Sequence, residues 1–89
     1  MAESVGQRLK RLARNTQVLC VTHLPQIACF ADHHYFVEKA ERGGRTEATV
    51  KYLESEKERV QELARMLSGS QITDAVLKHA VAMLRQGAG

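Results

Sequence analysis

His23 is the residue with the most chemical promise in this sequence. It directly follows a short apolar, β-branched run at 17–22 (QVLCVT) and directly precedes Leu24-Pro25. A run of consecutive apolar residues this short fits a strand covered on both faces in a parallel sheet. In open α/β sheets, ligands bind just outside the carboxyl end of such a strand. An imidazole held there can hydrogen-bond a phosphate or polarise a water, and imidazoles titrate near neutral pH. Position alone still favours the plainer role of a capping or turn histidine.

Other groups with chemical potential carry less. Cys20, His23, Cys29, His33 and His34 fall close together and invite a zinc site. In a strand, however, residues 20 and 23 point to opposite faces. Both cysteines have apolar neighbours and are expected in the core, so no metal ligand is assigned. His33 and His34 follow Asp32 at the start of a predicted strand, one expected to face solvent and the other to accept a local hydrogen bond. Arg8, Lys10, Arg11 and Arg14 form a basic stripe that could meet phosphates. No aromatic platform or Gly-rich loop accompanies it, which makes a solvated polar face the simpler account. His79, Met66 and Met83 read as structural.

These residues must be positioned by a small set of elements. Val5, Leu9, Leu12 and Ala13 recur at helical spacing and predict a helix over 2–14. Gly6 inside it implies either close packing or a later helix start. The run 17–22 predicts a strand, and Pro25 predicts a short helix over 25–31. Residues 34–39 and 46–53 predict two strands joined by Arg42-Gly43-Gly44-Arg45, a hairpin turn tolerant of positive φ. Ser55-x-x-Glu58 is a capping box for a helix over 56–68, with Val60, Leu63, Ala64 and Leu67 on one face and Gly69 as its C-terminal cap. Thr73 caps a last helix whose stripe is Val76, Leu77, Ala80, Val81 and Leu84, with 86–89 expected to fray.

The order α-β-α-β-β-α-α is the edge of an α/β sheet, not a complete doubly wound domain. With 89 residues, 44% of them apolar, and no Trp, the chain can bury one modest core of aliphatic side chains. A formal charge of +3 tolerates nucleic acid without requiring it. No leader and no apolar run near the roughly 20 residues of a membrane span are visible, so a reducing, cytoplasmic setting is expected.

The stretch VLCVTHLPQIACFADHHYFVEK (18–39) resembles the segment of ATP-binding-cassette and SMC-like ATPases in which a strand ends in Thr-His before a helix, an Ala-Asp and a further strand. Within that superfamily, VTHLPQIA together with ELARMLSGSQITDAVLKHAVAML (62–84) and SVGQRLKRLARNTQ (4–17) is similar to the C-terminal part of the ATPase head of the RecN family. The resemblance covers nearly the whole chain. It implies a partial P-loop head fold and makes His23 the switch histidine. That residue would contact the γ-phosphate and help position the attacking water across an ATP-bridged pair of heads. For the intact parent it further implies ATP and Mg, an N-terminal ATPase lobe, a long coiled coil, a second head and DNA as partners, and a nucleoid location.

Several parts of that machinery are missing from 1–89. There is no G-x-x-x-x-G-K-[ST] loop, no signature Ser-Gly-Gly, and no apolar strand ending in a metal-linked Asp and a catalytic Glu. Ser68-Gly69-Ser70 follows a helix where a signature would precede one. In the family those parts lie upstream, and this sequence is expected to begin just after the loop following the catalytic acid. Phosphoryl transfer needs them together, so the chain alone is expected to be inert and to bind no cofactor. Removed from its sheet, 17–22 would expose an edge and drive self-association. The alternative is a free-standing small basic module that binds nucleic acid or an acidic protein through its first helix.

Overall fold

The computed structural model describes residues 2–88. Its elements are α1 (Ala2–Leu12), α2 (Pro25–Ala28), β1 (Tyr35–Arg42), β2 (Arg45–Tyr52), α3 (Glu56–Ser68) and α4 (Asp74–Ala88). The fold is mixed α/β, and its sheet has two antiparallel strands, β1 and β2.

The expected strand at 17–22 belongs to no sheet, so the order is α-α-β-β-α-α. The expected parallel crossover is likewise not formed among the described residues. A strand exists only through its ladder, and no backbone–backbone hydrogen bond outside the elements reaches residues 17–22. Leu19 and Val21 stand 88% and 94% exposed. A segment apolar on both sides needs flanking strands and two covering layers. The described residues supply neither.

Elements with local instructions form as their sequences dictate. The Gly43 and Gly44 φ angles of 57° and 78° give the turn that matches strand twist, and Arg42 pairs with Arg45 across it. At the start of α3, the Ser55 hydroxyl accepts from the Glu58 N–H at 3.1 Å while the Glu58 carboxylate accepts from the Ser55 N–H at 3.4 Å. Gly69, with φ 68°, closes that helix by donating its N–H to the Arg65 carbonyl at 2.7 Å. Thr73 Oγ1 accepts from the Val76 N–H at 3.2 Å and caps α4.

The core joins α2, α3 and α4 and the residues just after α2. Ala28, Cys29, Phe30, Val60, Leu63, Ala64, Ala80, Met83 and Leu84 are buried together. Leu63 is fully buried, which contributes roughly 1.5–3 kcal/mol for a side chain of its size. Gly6 lies under the Phe30 ring, where a methyl group would run into ring carbons. Close packing therefore explains this glycine, and α1 starts ahead of it. The expected fraying over 86–88 gives way to helix through Ala88, because Gly87 is buried against the Cys29 carbonyl; the same expectation for Gly89 lies outside the described residues.

The hairpin rests on the helices by one face. Leu53 is buried, the Arg65 guanidinium lies 5.3 Å from the centroid of Phe36, and Lys51 pairs with Glu58 at 3.1 Å. Strand alternation puts Tyr35, Val37, Val50 and Tyr52 on the opposite face, where all four are exposed.

Candidate functional site

His23 occupies the bend between the uncovered 17–22 segment and α2, and it is exposed. The bend is pinned from its helix side. Thr22 Oγ1 accepts from the Leu24 N–H at 3.0 Å, and the Leu24 carbonyl accepts from the Ile27 and Ala28 N–H groups, both at 3.1 Å. Leu24 is extended, with φ −97° and ψ 115°, as a residue before proline prefers. Pro25 then opens α2 where its missing N–H is no loss.

The residues after His23 are tied to three helices. Phe30 covers Gly6 of α1, and the Cys29 carbonyl meets Gly87 of α4. Lys10 Nζ reaches the Phe30 carbonyl at 3.4 Å and Asp32 at 3.3 Å, and Arg59 of α3 donates to the Ala31 carbonyl at 2.6 Å. A single exposed imidazole therefore projects beside a well-held corner. What it can do chemically is donate or accept a hydrogen bond to a group delivered from outside this chain.

The remaining sequence candidates separate. Cys29 is buried as expected, its thiol directed at the Gln26 carbonyl at 3.5 Å and its pKa pushed up by burial. Cys20 is exposed, contrary to expectation, because nothing covers the segment that carries it. Among the described residues, no three His, Cys, Asp or Glu side chains are grouped so as to hold a metal ion. His33 is exposed, and its Nδ1 lies 2.9 Å from the Tyr52 hydroxyl. His34 is half-buried, and its Nδ1 meets no hydrogen-bond partner among the described residues. The expected division of roles between these two rings thus fails: His33 has both solvent and a hydrogen bond.

The expected basic stripe is broken, since Lys10 is engaged with Asp32 and Arg14 lies past the end of α1, while Arg8, Arg11 and Arg14 remain exposed. Residues 10 and 32 are too distant in sequence for spacing to announce their pairing. Thr22 was also not singled out from sequence, although a Thr two residues before an amide is a known local hydrogen-bonding arrangement. A groove between the hairpin and α3, bordered by Phe36, Leu53, Arg65 and Ile72, lies apart from His23.

Fold and site define a mixed α/β unit with one apolar segment that joins no sheet, exposed at Leu19 and Val21, and one histidine at its carboxyl end. Over 93% of its length the chain is 51% identical to the DNA repair protein RecN of Streptomyces coelicolor. It is 48% identical over 93% of its length to that of Vibrio cholerae, and 40% identical over 97% to that of Bacillus subtilis. The chain belongs to the RecN family, of whose members named here it spans 14–15% of the length. No protein-family model matches it.

Proposed function

We propose that this chain is the C-terminal part of the ATPase head of a RecN-type DNA double-strand-break repair protein, with His23 as its contribution to ATP hydrolysis. One observation carries the reading: an exposed imidazole at the carboxyl end of an apolar segment that pairs with no strand among the described residues. Placed beside strands supplied by the rest of a P-loop head, that segment would present His23 at the mouth of the sheet.

The residues here fit one corner of a nucleotide site and no more. The sequence holds no phosphate-cradling loop, no signature Ser-Gly-Gly and no Asp-Glu strand end, so ATP and Mg would be held by other parts of the head. At that corner His23 donates a hydrogen bond to the terminal phosphate and orients the attacking water. ATP-dependent pairing of two heads and action on DNA belong to the whole protein. In the full-length protein, His23→Ala should leave folding intact and lower ATP turnover by about a hundredfold or more, as removal of a transition-state contact does. Normal turnover in that variant refutes the assignment.

The exposed Arg8, Arg11 and Arg14 favour a second reading, a basic module acting on nucleic acid. Binding of duplex DNA by the 89-residue chain at moderate salt would support it.

A further inference from the structure

The bend that carries His23 is joined to the helix that follows by a side chain. Thr22 Oγ1 accepts the Leu24 N–H at 3.0 Å, closing a small ring around the His23 backbone. Leu24 is fixed beyond that by two amides on its carbonyl, and Pro25 is buried. Upstream, residues 17–21 take part in no backbone–backbone hydrogen bond outside the elements among the described residues. Thr22 is therefore the residue whose side chain ties the backbone before His23 to the α2 corner after it.

We infer that Thr22 is a positioning residue for the imidazole of His23, acting through its hydroxyl and not by touching the nucleotide. The inference rests on the catalytic reading of His23 given above. Hydroxyl-to-backbone bonds of this type hold a turn of two residues, and among the described residues no hydrogen bond is made by His23 itself. Without the bond, the main chain at 23 gains freedom, and the imidazole meets the terminal phosphate in its productive direction for less of the time.

The test uses the full-length RecN-type ATPase carrying Thr22→Val, Thr22→Ser, His23→Ala and the Thr22→Val/His23→Ala pair. Thr22→Val, near in shape but unable to accept a hydrogen bond, should lower kcat about tenfold and leave KM for ATP within about twofold. Thr22→Ser, which keeps the acceptor, should restore most of the turnover. On the His23→Ala background, Thr22→Val should cost nothing further, since both changes act on one imidazole. An unchanged kcat in Thr22→Val overturns the inference, and so does an equal loss on both backgrounds. Normal turnover in His23→Ala removes the catalytic reading and the inference with it. Should Thr22→Val disturb folding, Thr22→Ala deletes the same acceptor with less bulk and is read against the same outcomes.

Discussion

His34 sits where the hairpin meets α3, half-buried, with Glu62, Arg59 and Arg65 of that helix as its charged neighbours. Burial lowers its pKa; Glu62 opposes that, and Arg59 and Arg65 push it further down. The folded chain keeps the ring neutral, so the unfolded chain takes up the proton first as pH falls. The stability this group contributes is full above the ordinary imidazole value of 6.5 and declines as pH drops from there toward the lower folded value. Thermal unfolding should show a midpoint that falls between about pH 7.5 and about pH 5.5, with a smaller fall in His34→Gln, whose amide stays neutral. Identical falls in the two proteins would exclude His34 as the source. His23, by contrast, is exposed, so its replacement is expected to leave folding intact.

Among the elements, α4 shows how a local rule is reversed by its surroundings. Replacing a glycine within a helix by alanine ordinarily stabilises it, by up to about 1 kcal/mol in the interior and by less in the last turn, where Gly87 lies. At Gly87 the added methyl would meet the Cys29 carbonyl oxygen, a backbone atom that cannot step aside. Gly87→Ala should therefore destabilise the chain by about 1–3 kcal/mol in chemical denaturation, as overpacking does. Gly6→Ala should also destabilise, because the added methyl would meet the Phe30 ring, which is itself buried in the core. A stabilised Gly87→Ala variant would show that α4 does not press on the α2 corner. The same contrast explains what could be read from sequence. The hairpin turn, the capping box of α3, Gly69 and the Thr73 cap are instructions held within a few residues, and they were legible. The contacts of Gly87 with Cys29 and of Lys10 with Asp32 join distant positions, and no spacing announces them. The expected 17–22 strand and buried Cys20 do not form for a related reason: their side chains call for neighbours that the described residues do not include. That His23 follows an apolar run is read from the sequence, whereas its exposure is a property of the fold.

At the scale of the whole molecule, the uncovered 17–22 segment dominates solution behaviour. Leu19 and Val21 are almost fully exposed, and the backbone beside them is unpaired. Such an edge pairs with another chain when one is present. The chain should self-associate with rising concentration in sedimentation, and Leu19→Lys with Val21→Lys should hold it monomeric; a wild-type chain that stays monomeric throughout would remove this expectation. The hairpin has a different consequence, which follows from how few anchors it has on the helices: Leu53, the Phe36–Arg65 contact and the exposed Lys51–Glu58 pair. Opening that sheet costs less than opening the core around Leu63. Backbone amides should then exchange with deuterium in three waves. Residues 17–22 exchange at once, β1 and β2 next, and the inner turns of α3 and α4 last, at the rate of global unfolding.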